Sequence, residues 1–194
     1  RAIQQIYHVE FYNQHGDNIA GGDSWCFRTE RDKARGDGTK YAAKAKEQLT
    51  YSDEELVDIY RHYANEEIRG AEARYYEETS VGEKLPTMLK GPMTVTGFIC
   101  YAQGWGGLYI RANKLAWKQI RAHPGLGITN RFNIPDCPER VHWENEFALE
   151  VGAPGAYDYG PERVSWLTHH ITNWMGDDGM LVGHKTRIRR HNPV

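Results

Sequence analysis

The chain has few of the residues that staple a fold together. Its three cysteines, Cys26, Cys100 and Cys137, are odd in number and far apart. A disulfide framework or a zinc site would need paired spacing, so free thiols in a reducing compartment are expected instead. No uninterrupted apolar run is long enough for a membrane span, and the first residues lack a signal-peptide core. No membrane partner and a cytoplasmic location are therefore the expectation. Neither sign of charge dominates: 24 basic residues against 26 acidic ones leave a net −2, with no global pull toward nucleic acid or anionic lipid. There is no short-period repeat. The stretch GWGG at 104–107 lacks the lysine and the spacing of a phosphate-binding loop.

What is present is enough chain, 194 residues, for one or two modest domains with a real core. Its 12 tyrosines and 6 tryptophans supply large apolar surfaces with polar tips, for core packing or for a cleft. The opening run to residue 31 reads as a hairpin turning at His15-Gly16-Asp17-Asn18. A lysine-rich stretch from 32 to 48 has no apolar face and reads as an exposed connection. Ser52 and Glu55 form a capping box, and Leu56, Ile59, Tyr60 and Tyr63 follow at helical spacing to an end near Gly70. The next segment reads as extended, with a turn at Val81-Gly82-Glu83 and a break at Pro86.

Thr96 is expected to cap a short helix through Phe98, Ile99 and Ala102, broken by Gly104, Gly106 and Gly107. A helix from 108 to 121 should pack Leu115, Trp117 and Ile120 inward and end at Pro124-Gly125. A longer helix from 161 to 174 carries Val164, Leu167, Ile171 and Trp174 on one stripe, with proline in its first turn and Gly176 past its end. Arg187, Arg189 and Arg190 alternate with Thr186 and Ile188 as on an exposed strand; that basic face is either solvated or set to meet phosphates. The chain begins and ends in strand-like runs, and a piece of a longer protein is expected.

The chemistry concentrates between 135 and 179. His142 opens a short helical pattern whose apolar face is Phe147, Ala148 and Val151. Tyr157, Asp158, Tyr159 and Gly160 lead into the longer helix. An imidazole titrates near neutrality and can move protons in either direction, with a carboxylate to orient it or share the load. The N–H groups at the amino end of the long helix can take up developing negative charge. Gly160 would let a carbonyl approach closely there, while Pro161 has no N–H to give. A capping or packing role for His142 is the plain alternative, and Asp158 is favourable beside a helix amino end in any case. His169 and His170 are not expected to ligate one ion, because adjacent residues on a helix diverge by about 100°, and Asp177-Asp178-Gly179 reads as a turn after the helix. A nucleophilic Cys137 is opposed by its acidic neighbours Asp136 and Glu139.

His142 followed by Glu146-Phe147-Ala148, then a Gly/Pro turn into a helix, resembles the MaoC-like dehydratases, the family of the (R)-specific enoyl-CoA hydratases. The runs GPMTVTGFICYAQGWG at 91–106 and WMGDDG at 174–179 resemble its double-hot-dog branch. The resemblance implies an α+β hot-dog fold, a curved antiparallel sheet around a central helix. It divides the chain into the end of a first repeat (1–50), a linker helix and entry strand (51–85), and a second repeat (86–194) whose last strands lie outside this chain. It implies reversible hydration of an enoyl-CoA of lipid metabolism to a 3-hydroxyacyl-CoA. His142 and Asp136 would be the catalytic pair, and Gly160 and Tyr159 would be substrate contacts. There would be no metal and no cofactor beyond the CoA of the substrate, and a homo-oligomer or a paired hot-dog subunit would form.

The chain departs from the family at Cys137, five residues before His142, where the motif has aspartate. Asp136 lies one place earlier, so a one-residue slip of the loop is needed to bring it to the ring; otherwise it is a turn residue. Two alternatives therefore stand beside hydration: a non-catalytic acyl-thioester-binding or structural half, and a hot-dog thioesterase.

Overall fold

The computed structural model describes residues 2–29, 50–106 and 112–194. The architecture is mixed α+β. Strands β1 (Ala2–Tyr12) and β2 (Asn18–Thr29) form an antiparallel hairpin. Its turn is held by Asn13, whose side-chain oxygen accepts from the backbone N–H groups of His15 and Asp17. The alternating apolar residues that make this a strand pair remain exposed on both faces, Ile6, Phe11, Trp25 and Phe27 among them.

Helix α1 (Asp53–Ala64) starts where the sequence signals it, with Ser52 and Glu55 closing a reciprocal capping box. Helix α2 (Val95–Trp105) starts two residues earlier than expected. Thr94, not Thr96, is the cap, accepting from the Gly97 N–H at 3.0 Å. Gly106 ends it at a φ of 80°, a left-handed conformation that suits glycine.

Helix α3 (Lys114–Ala122) is shorter than the expected helix and is capped by Asn113; the beginning of the expected span falls outside the described residues. Its inward face also differs. Leu115 and Trp117 are exposed, whereas Ala116 is buried and Ile120, one turn on, is half-buried. With only nine residues, the helix presents a narrow i, i+4 stripe to the protein. Trp117 is instead covered by the Arg121 guanidinium, 4.9 Å from the ring centroid. The lysine-rich connection expected at 32–48 also lies outside the described residues.

Strands β3 (Ile128–Thr129) and β4 (Pro135–Asp136) form a two-residue antiparallel ladder, followed by a 3-10 turn over Pro138–His142. Helices α4 (Asn145–Glu150) and α5 (Gly160–Met175) complete the order. The segment expected to be extended after Gly70 is irregular, with one 3-10 turn at Tyr76–Glu78. It is tied to α5 by polar contacts, Arg74 Nε donating to the Trp174 carbonyl and Trp174 Nε1 donating to Glu83, and just before it Glu66 accepts from Asn173 Nδ2. The arginine-rich stretch 186–190 is not a regular strand.

No helix among the described residues is long and apolar enough to cross a membrane. The core lies where α2 meets the amino end of α5. Phe98, Ala102 and Tyr159 are almost fully buried there, with Met93, Tyr101 and Val194 packed around them. No residue of α5 itself is fully buried, and the strands described form two separate two-stranded sheets. Cys137, Phe147, Ala148, Ala153 and Ala156, in and around the 3-10 turn and α4, are also buried.

Candidate functional site around His142

The 3-10 turn that carries His142 is held by Arg140, which is 5% exposed. Its Nη1 donates to Glu144 at 2.7 Å and its Nη2 to the Thr129 carbonyl at 3.2 Å. The guanidinium lies 3.8 Å from the Phe147 ring centroid, so one side chain joins β3, the turn and α4. Its Nε is buried without a hydrogen-bond partner among the described residues.

His142 leaves this turn half-buried. Its Nδ1 lies 2.7 Å from the Tyr157 carbonyl oxygen. A carbonyl can only accept, so Nδ1 carries the proton in this bond. Nε2 is left as the acceptor atom; it takes no hydrogen bond among the described residues and is not sealed from solvent. Burial pushes the imidazole pKa down, with the Tyr157 carbonyl and the Asp158 charge opposing and His191 reinforcing. The ring is accordingly neutral at physiological pH, with Nε2 able to accept a proton.

The ring sits within an aromatic row. Tyr159 stacks on it at 3.8 Å between centroids and 25° between planes, and Tyr157 meets it edge-on at 4.6 Å. Tyr101 and Trp105 continue the row beyond Tyr159 at 6.0 and 6.1 Å, and His191 continues it beyond Tyr157 at 4.4 Å. Tyr159 is the N-cap residue of α5 and is 4% exposed. Its hydroxyl donates to Glu139 at 3.1 Å. Burial, then the Glu139 charge, push the phenol well above its ordinary value, so it stays protonated as a donor. Tyr159 is therefore a wall of the site, its polar tip already engaged.

Asp136 is not brought to His142. Its Oδ1 accepts from the Cys137 N–H at 2.6 Å and its Oδ2 from Asn130 Nδ2 at 2.9 Å. Asn130 in turn accepts from the N–H groups of Phe132 and Ile134. Both carboxylate oxygens are thus spent on closing the β3–β4 loop, an ordinary use of Asp and Asn. Gly160, expected just before the helix, is the first residue of α5, and a Cβ placed on it would meet the Ile188 δ-methyl at 3.4 Å. The approach to its backbone is covered by that side chain.

Three acidic residues that the sequence did not single out for this role act on Tyr159 or His142. Glu139 holds the Tyr159 hydroxyl. Asp158, with a side chain 0% exposed, is ion-paired with Arg163. Glu162, in the first turn of α5, has a buried Oε2 with no hydrogen-bond partner. Burial raises its carboxyl pKa, the Asp158 charge adds to the rise, and the Tyr159 N–H and Arg163 oppose it. The visible signal was only the spacing of Asp158 and Arg163, which straddle the start of a helix.

The other sequence candidates lie apart from this row. Lys90 Nζ lies 2.9 Å from His169 Nδ1 and His170 Nε2 lies 2.6 Å from the Pro86 carbonyl, so the two histidines face different partners. Among the described residues, no group of three or more His, Cys, Asp or Glu side chains is arranged to hold a metal ion. Arg187, Arg189 and Arg190 are exposed. In comparisons with protein-family models, curated proteins and solved structures, the chain matches none.

Proposed function

We propose that the His142 site performs acid–base chemistry on an acyl thioester: the reversible hydration of an enoyl-CoA to a 3-hydroxyacyl-CoA. The observation that carries this reading is the fixed tautomer of His142, whose Nδ1 is held by the Tyr157 carbonyl at 2.7 Å. Nε2 would take a proton from water as the oxygen adds to the β-carbon. The electron pair of the double bond would move onto the thioester carbonyl as an enolate. Reprotonation at the α-carbon completes the addition of one water, with no oxidant and no cofactor beyond the substrate's own CoA.

The amino end of α5, with the Gly160 N–H ahead of Pro161, is the proposed site for the enolate oxygen. The Ile188 side chain would have to shift to admit it. Asp136 has no part in this scheme. The finer fold reading goes with the proposal: α5 as the central helix of a hot-dog repeat, paired with another repeat or subunit, in a reducing cytoplasmic setting.

A second reading is favoured by the engagement of Asp136 in its own loop: a non-catalytic half that binds an acyl thioester or only supports a partner repeat. The test is loss of conjugated-thioester absorbance for the intact chain and for His142→Ala. Turnover lost in the variant with acyl-CoA binding retained supports hydration. Binding without turnover in the intact chain supports the second reading. Release of free CoA thiol would identify a thioesterase instead.

A further inference from the structure

Asp158 is the most deeply buried charged side chain in the neighbourhood of His142, and its contacts run to two separate parts of the chain. Arg163 donates to it from Nε at 2.6 Å and also from Nη2, making a bidentate pair. Asn192 Nδ2 donates to Asp158 Oδ2 at 3.4 Å, and the Asp158 N–H donates to the Asn192 carbonyl at 3.2 Å. Arg163 Nη1 donates to the Arg190 carbonyl, and the Val194 N–H donates to the Ala156 carbonyl at 3.0 Å. Tyr157 forms a β-bridge with Pro193, and its ring packs edge-on against His191. The stretch 190–194 is thereby laid along 156–158, the backbone that presents the Tyr157 carbonyl to His142.

We infer that Asp158 is the positioning residue of this site: by clamping 190–194 through Arg163 and Asn192, it fixes the Tyr157 carbonyl that holds His142 with Nδ1 protonated and Nε2 free. An aspartate needed only as a favourable charge beside a helix amino end would require no burial and no bidentate arginine. A buried carboxylate with its partners satisfied orders the groups it joins. The charged and titratable groups about the ring are few. Asp158 and His191 act on it directly, Tyr157 and Tyr159 pack on it, Glu139 holds the Tyr159 hydroxyl, and Arg163 pairs with Asp158. The catalytic meaning of this clamp rests on the acid–base role proposed for His142, whereas the ring's tautomer and titration can be read without it.

The test is long-range ¹⁵N–¹H correlation spectroscopy of the imidazole-labelled chain across a pH series. It reports the tautomer and titration of His142 with no substrate present. Asp158→Asn should titrate His142 at lower pH than the unmodified chain, because an attracting charge is gone, and should mix the two neutral tautomers. Asn192→Ala removes only the side-chain bond from 190–194 to the Asp158 carboxylate and should likewise mix the two neutral tautomers. If Asp158→Asn does not fold, Asn192→Ala decides alone. A folded variant of either kind that keeps the single tautomer of the unmodified chain overturns the inference. Absence of hydration with the tautomers mixed in the variants would sink the proposed activity and leave the clamp standing. Hydration lost in His142→Ala, with the tautomer unmoved in the variants, would do the reverse.

Discussion

His142 and Tyr157 meet twice: Nδ1 donates to the Tyr157 carbonyl at 2.7 Å, and the two rings pack edge-on at 4.6 Å. The first contact chooses the tautomer and the second restrains the ring plane. Together they leave Nε2 of a half-buried imidazole without a hydrogen bond among the described residues, the condition for a base that works near neutrality.

Replacing His142 by alanine should therefore reduce hydration by about 10²–10⁴-fold, the usual contribution of a placed general base. Thioester binding should change little, since the ring's proposed work is on water. Initial rates at saturating enoyl-CoA, with a separate binding titration, check both parts. A variant that binds weakly and turns over normally would contradict the assignment.

Stability should fall on mild acidification. His142 and His191 both have pKa values depressed by burial. Near the ordinary imidazole value of about 6.5 the unfolded chain takes up protons that the folded chain refuses. Their contribution is thus fully present above about pH 6.5 and is lost as pH falls from there toward the folded values. Glu162 has the opposite sign: with its pKa raised, its contribution is present below the ordinary carboxyl range and is lost as pH rises through its folded value. Urea midpoints between pH 7.5 and 5 read the histidine slope, and His142→Gln should flatten it.

The local signals in the sequence were readable because they act over one helical turn. The capping box of Ser52 and Glu55, the proline in the first turn of α5 and the glycine after it each satisfy or restrict neighbouring backbone groups, and the structure places them accordingly. His142 was legible as a residue type at a turn-to-helix junction. Its partner was not, because that partner is a main-chain carbonyl 15 residues away, and carbonyls have no signature in a sequence. Proximity in sequence to His142 says nothing about where the loop aspartate Asp136 places its oxygens, here on Asn130 and its own neighbour. Asp158 was discounted for a sound local reason, the helix dipole, while its decisive contact with Asn192 spans 34 residues. Leu115 and Trp117 failed for want of a tertiary surface, since a short amphipathic helix shows only where an apolar face exists and not what covers it.

Tyr159→Phe separates a wall from a ligand contact. The hydroxyl proton is committed to Glu139 at 3.1 Å, so it is not free to be donated to a substrate. Its removal should destabilise the chain by about 1–2 kcal/mol, the cost of one hydrogen bond to a charged acceptor that is partly reached by solvent. The stack on His142 survives in phenylalanine, and hydration should remain within about threefold of the unmodified rate, under 1 kcal/mol in barrier. A thermal melt and a rate measurement together decide. A large rate loss with an unchanged Tm would mean that the phenol touches substrate after all.

The last turn of α5 depends on Gly176. Its N–H donates to the Thr172 carbonyl at 3.1 Å, ending the helix at φ 79° and ψ 178°, a region open in practice only to glycine. The irregular segment after α1 crosses directly over this point. A Cβ there would lie 3.0 Å from the Gly70 carbonyl oxygen and 3.1 Å from that of Glu72, both main-chain atoms with little room to yield. The neighbouring Asp177 N–H donates to the same Gly70 carbonyl at 2.8 Å, so displacing that backbone also breaks a tie between the two segments. Gly176→Ala should consequently cost about 1–3 kcal/mol from backbone conformation alone, and more once the crossing is forced open. Asp177→Ala, which leaves the backbone bond in place, should cost less than about 0.5 kcal/mol as an exposed substitution. Urea denaturation of both variants tests this contrast, and equal losses would show that the side-chain charge, not the glycine crossing, secures the end of the helix.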